Sequence, residues 1–115
     1  MEKVKLQAQY GLYINGQWRD ASDGATYNAE SPADGIHLAV CAQGSREDVE
    51  AASTAAWEAF KTWKKTTPAQ RAALLNKIAD IIDANKEHLA MVESMDNGKP
   101  IRETMNVDIP MAAEH

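Results

Sequence analysis

Apolar and polar positions first alternate in short runs separated by turn residues. Leu12-Tyr13-Ile14 and Gln17-Trp18-Arg19 flank Asn15-Gly16, a pair whose tolerance of positive φ suits a two-residue type I′ hairpin. Asp23-Gly24 and Asp34-Gly35 repeat the punctuation and separate Thr26-Tyr27-Asn28-Ala29-Glu30 from Leu38-Ala39-Val40-Cys41-Ala42. Three turns predict a small antiparallel ribbon over residues 10–44.

From Ser45 the period lengthens. Ser45 and Asp48 form a variant capping box, and Val49, Ala52, Ala56, Phe60 and Trp63 then share one face of a helix, predicted to be buried. Thr67-Pro68-Ala69-Gln70 marks a second start, with an N-cap hydroxyl, a proline at the first helical position and a glutamine three residues on. Leu74, Leu75, Ile78, Ala79, Ile81 and Ile82 follow as a broad apolar stripe. Asn85 is expected to recap a third helix, with Leu89, Val92 and Met95 inward and Asn97-Gly98 as its stop. Residues 101–105 are helical again, and Asp108-Ile109-Pro110 suits a new helix start. No glycine cap or polar tail follows, so the chain ends at His115 as if cut within a helix. The fold class is thus α+β, a ribbon over 10–44 and three or four helices over 45–115.

Composition narrows the function. The 115 residues are 44% hydrophobic and 25% charged, ordinary for a globular domain, and carry a net charge of −5. That balance argues against nucleic acid or an anionic membrane as partner, since both need a concentrated positive face. Cys41 is the single cysteine, which excludes an intrachain disulfide and a cysteine-rich zinc site. No N-terminal apolar run suits a signal peptide and no stretch is long enough to span a bilayer, so a soluble cytoplasmic protein is expected.

Met95-Asp96-Asn97-Gly98-Lys99-Pro100-Ile101 resembles the D-N-G-K-P signature near the front of NAD(P)-dependent aldehyde dehydrogenases. The segment 13–18 resembles that family's opening hairpin, 46–52 its first long helix, and 63–82 the next. The likeness spans residues 12–115 in order, which is more specific than any one motif. Ile101-Arg102-Glu103-Thr104 with Asp108-Ile109-Pro110 further resembles the bacterial acetaldehyde-type branch.

The resemblance implies an N-terminal scaffold beside a Rossmann-type cofactor domain in a homo-oligomeric oxidoreductase that uses NAD or NADP. The family's cysteine adds to the aldehyde, the thiohemiacetal yields hydride, and a glutamate activates water against the thioester. Those residues lie downstream of the matched segments, so no catalytic or cofactor-binding residue is carried onto this chain, and it is expected to be inert without the remainder of the dehydrogenase. The resemblance also implies a structural monovalent cation held by main-chain oxygens at Glu30 and Asp96, with a third ligand from beyond His115. Glu30-Ser31-Pro32 departs from the family's asparagine-proline ending there.

Other candidates weigh less. Cys41 sits in an apolar run without a neighbour to activate its thiol and suits a small buried hydrophobe. His37, His88 and His115 lack the short spacing of metal ligands, and Gly98-Lys99 lacks the glycines of a phosphate loop. Trp57, Phe60 and Trp63 have the spacing of core contacts. Two alternative functions remain: a free-standing interaction domain, and one half of a split enzyme completed by a second polypeptide.

Overall fold

The computed structural model describes residues 4–115, which divide into two compact units. One unit comprises Gln7–Ala29 and Ala39–Thr66, and the other residues 4–6, Glu30–Leu38 and Thr67–His115. The strands are β1 (Gln9–Tyr10), β2 (Leu12–Ile14), β3 (Gln17–Arg19), β4 (Thr26–Glu30) and β5 (His37–Ala42).

β2 and β3 form the expected antiparallel hairpin, with Leu12 opposite Arg19, Tyr13 opposite Trp18 and Ile14 opposite Gln17. Its turn residues Asn15 and Gly16 both have positive φ, 53° and 76°, as a type I′ turn requires. The Tyr13 and Trp18 rings meet across the strands with their centroids 5.0 Å apart. The other strands differ from a simple ribbon. They form a separate sheet in the order β1-β5-β4, and β1 runs parallel to β5, with Gln9 beside Val40 and Tyr10 beside Cys41. A two-residue strand carries no hydrophobic period, which is why β1 is invisible in the sequence.

α1 (Arg46–Trp63) begins with the capping box complete: the Ser45 hydroxyl accepts from the Asp48 N–H, and the Asp48 carboxylate accepts from the Ser45 N–H at 2.9 Å. That carboxylate does more than cap. It also accepts from the Ser22 N–H at 3.1 Å and from the Arg19 guanidinium at 2.9 Å, tying the end of the hairpin to the start of the helix. Asp48 is only 2% exposed. The Ser45 N–H bond is the main cause holding its pKa at about 2; burial opposes it, and the Ser22 N–H, the Ser45 hydroxyl and the Arg19 charge reinforce it.

In the other unit, α2 (Pro68–Ala84) starts at Thr67 with both halves of the predicted capping box between Thr67 and Gln70 in place. α2 ends at Asn85, whose side chain donates to the Ile81 carbonyl at 2.8 Å and makes no capping bond to α3 (Lys86–Asn97). Asn85 thus sits at the junction as the end of α2 and the N-cap of α3, where its carbonyl, though not its side chain, accepts from α3 through the Leu89 N–H at 3.0 Å. The buried residues of α3 are Ala90 and Met91, whereas the expected Leu89, Val92 and Met95 are half-buried.

α3 stops at Gly98, which has φ 80°. A Cβ there would lie 3.0 Å from Cγ of Pro32, so glycine is needed for both backbone conformation and approach. After Pro100 the chain is helical to Glu114 without a new start at Asp108. α4 (Ile101–Glu103) passes through a π-helical stretch, Thr104–Asp108, into α5 (Ile109–Glu114). The Ile109 N–H bonds to the Thr104 carbonyl five residues back. This wider turn accommodates Pro110, which has no N–H and whose ring would crowd the carbonyl four residues back in an α-helix. Thr104 is fully buried, its hydroxyl within 2.9 Å of the Ala90 carbonyl and of the Ser94 hydroxyl.

The predicted inner face of α1 is covered only in part, at the half-buried Ala52. Val49, Phe60 and Trp63 are exposed, and Trp57, expected in a core, is 67% exposed. No residue of α2 is buried, and Leu74, Leu75, Ile78 and Ile81 face outward. The helical period is right, but these side chains stay largely exposed, while Ala52, Ala79 and Ile82 of the same stripes are half-buried.

Between pH of about 4 and about 2 the unfolded chain protonates Asp48 while the folded one does not, so stability falls as pH drops through that window. Asp48→Asn, which sets an amide N–H against backbone donors, should lower stability at neutral pH and flatten the acid loss, as measured by denaturant midpoints against pH. Gly98→Ala should cost about 1–2 kcal/mol in chemical denaturation. Gly24→Ala, also at positive φ but with nothing within 4 Å of the added Cβ, should cost less.

Candidate cation site

Glu30 is the last residue of β4, and the chain turns directly after it. The Ser31 N–H donates to the Ile36 carbonyl at 2.9 Å and the Gly35 N–H to the Ser31 carbonyl at 2.8 Å, folding residues 31–36 into a tight connection to β5. Asp96 lies in the last turn of α3. The contact of Pro32 with Gly98 brings these segments together, and Ser31 and Met95, their adjoining residues, line one cleft of about 220 Å³. Residues adjoining Glu30 and Asp96, far apart in sequence, therefore share one cleft.

The helix end presents main-chain oxygens. The Gly98 N–H donates to the Ser94 carbonyl at 3.1 Å, the single bond of an αL cap. The Lys99 N–H is diverted to the Asn97 side-chain oxygen at 2.8 Å. Among the described residues no main-chain donor outside the helix reaches the carbonyls of Met95, Asp96 or Asn97. Such carbonyls sit at the negative end of the helix dipole and are hard donors, chemistry that fits an alkali cation. The Glu30 and Asp96 side chains are both exposed, and among the described residues no three acidic, histidine or cysteine side chains converge. The donors on offer are backbone oxygens.

Lys99, read from the sequence only as part of a helix stop, closes the loop. Its ammonium reaches both carboxylate oxygens of Asp108 at 2.7–2.8 Å, and that hydrogen bonding raises its pKa above the usual 10.5. The nine-residue spacing gives no periodic signal, so this pair was not legible. It pins the Gly98 loop to the π-helical stretch.

The residues do not fit a dinucleotide. The passage from β5 through Gly44 into α1 is a strand–glycine–helix turn, but the Asp48 carboxylate and the Ser45 hydroxyl already take its Ser45 and Asp48 N–H groups. A fixed negative charge there repels phosphate. Cys41 is half-buried within β5, opposite Tyr10, and His37, His88 and His115 are all exposed and separate.

Comparison with known proteins identifies the lineage of this fold. The profile of the Aldehyde dehydrogenase family matches residues 18–115. A long-chain-aldehyde dehydrogenase from Acinetobacter sp is 44% identical over 113 residues, covering 98% of this chain and 22% of that protein. An EPTC-inducible aldehyde dehydrogenase from Rhodococcus erythropolis is 42% identical, covering 97% and 22%. Among solved structures, PnpE in complex with nicotinamide adenine dinucleotide has a TM-score of 0.88 and 40% identity, covering 91% of this chain and 22% of its own. Indole-3-acetaldehyde dehydrogenase complexed with NAD+ has a TM-score of 0.90 and 35% identity, covering 95% and 22%. This chain thus spans about 22% of the length of the relatives it matches. With a family profile over residues 18–115 and relatives 42–44% identical over nearly the whole chain, the chain belongs to the aldehyde dehydrogenase family.

Proposed function

We propose that this chain is the N-terminal scaffold of an NAD(P)-dependent aldehyde dehydrogenase, inert alone, whose complete form oxidises an aldehyde to a carboxylic acid through a cysteine thiohemiacetal. The observation that carries the reading is the 22% share of each relative that the chain matches in order. The half-buried, strand-bound Cys41 and the carboxylate-filled start of α1 support it, because neither offers a nucleophile or a dinucleotide cradle. In the complete, homo-oligomeric cytoplasmic enzyme, main-chain oxygens at Glu30 and Asp96 would hold a structural monovalent cation with a third ligand from elsewhere. The segment 101–110 favours the bacterial acetaldehyde-type branch.

The outward apolar faces of α1 and α2 favour a scaffold over a free-standing interaction domain. The purified chain, given NAD or NADP with short and long aldehydes, should produce no reduced nicotinamide, and it should bind an apolar-surface dye. Turnover by the chain alone would overturn inertness. A cooperatively unfolding monomer that binds no dye would favour the interaction domain. Co-expression with a polypeptide carrying the downstream dehydrogenase segments should restore aldehyde-dependent NAD(P) reduction; failure of a soluble complex to do so would count against the scaffold assignment.

A further inference from the structure

Four positions carry an Asn or Asp directly before a glycine at positive φ: Asn15-Gly16, Asp23-Gly24, Asp34-Gly35 and Asn97-Gly98. In three of them the side-chain oxygen is held by the N–H two residues on. Asp23 accepts from Ala25 at 2.9 Å, Asp34 from Ile36 at 3.3 Å and Asn97 from Lys99 at 2.8 Å. Asn97 is restrained twice more: its amide nitrogen donates to Glu93, and the following Gly98 N–H donates to Ser94 at 3.1 Å. Asn15 is the exception. It is exposed at the hairpin tip, and among the described residues its side chain has no hydrogen-bond partner.

We propose that Asn15 is a site of spontaneous deamidation, and that the identical dipeptide Asn97-Gly98 is protected by its fold. In the reaction the Gly16 backbone nitrogen, losing its proton to hydroxide, bonds to Cγ of Asn15. The Cγ–Nδ2 bond breaks and Nδ2 leaves as ammonia. Water then opens the cyclic imide at either carbonyl, leaving an aspartyl residue at position 15 in the ordinary or the isoaspartyl linkage. Glycine offers no Cβ to block the attack, and the nitrogen must swing towards Cγ, which the left-handed turn resists. The strands holding that turn are only three residues each, so the tip opens readily. At Asn97 the same swing requires loss of the Lys99, Glu93 and Gly98 bonds together.

The consequence is local. Either product adds one negative charge to the net −5, and the isoaspartyl form lengthens the backbone at a two-residue turn whose geometry sets the β2–β3 register. The Asp96 neighbourhood is spared.

The test is peptide mapping by mass spectrometry after ageing the whole chain in mildly alkaline buffer, with and without denaturant. Native protein should convert Asn15 at least roughly tenfold faster than Asn97, and in denaturant the two rates should converge because the dipeptides are identical. Gly16→Ala should slow conversion at position 15 and leave position 97 unchanged. Equal native rates, faster conversion at Asn97, or no native conversion at Asn15 while denatured protein reacts would each overturn the proposal. So would a tenfold ratio that persists in denaturant, since the fold would then not be its cause.

Discussion

The largest fully buried side chains among the described residues, Asp48 and Thr104, are polar, and each organises one unit. Asp48 collects the ends of the hairpin and the start of α1 around one carboxylate, while the Thr104 hydroxyl joins the π-helical stretch to α3 through the Ala90 carbonyl and Ser94. A buried carboxylate is tolerable only when its oxygens are saturated with donors, and here two backbone N–H groups, two hydroxyls and a guanidinium do so. Removing any one donor leaves the charge less compensated, so hairpin register, helix start and the intervening loop are mutually dependent. Such directional bonds fix geometry more sharply than the few buried alanines and Met91 can by packing alone.

That economy of core explains the apolar surfaces. α1 and α2 have helical amphipathicity, yet Trp57 and Leu75 are each about two-thirds exposed. A sequence selected to pack on another layer keeps its stripe whether or not the layer is present, because the stripe is written in side-chain spacing. The pattern reports what the helices are built to contact.

How much was legible in the sequence follows the same division. The hairpin, both capping boxes, the Gly98 stop and the main helical runs were readable because each rests on neighbours within about four residues. The parallel pairing of β1 with β5, the bonds from Arg19 and Ser22 to Asp48 and the pairing of Lys99 with Asp108 join residues too distant for any local period to announce. Asp108 shows the opposite failure. Its residue type suits a helix start, but it is spent on Lys99 inside a helix that never stopped. The family was legible because it depends on order along the chain, and the burial of helix faces was not, because it depends on what lies opposite.

The candidate cation neighbourhood shows how one glycine couples these levels. Left-handed φ at Gly98 ends α3 with a single capping bond, and Asn97 captures the one N–H that might have closed a second. The carbonyls of the last turn are thereby left facing outward at the negative end of the helix, where Asp96 adds charge of the same sign. An acid at that position is unfavourable by itself. It becomes reasonable if positive charge is supplied nearby, and Lys99 does not supply it, because its ammonium is committed to Asp108. The absence of a Cβ at Gly98 also lets Pro32 close in and bring the end of β4 alongside. Hard oxygen donors, a carboxylate at the negative end of a helix and two adjoining segments thus share one backbone constraint, and the monovalent cation proposed above would match that chemistry.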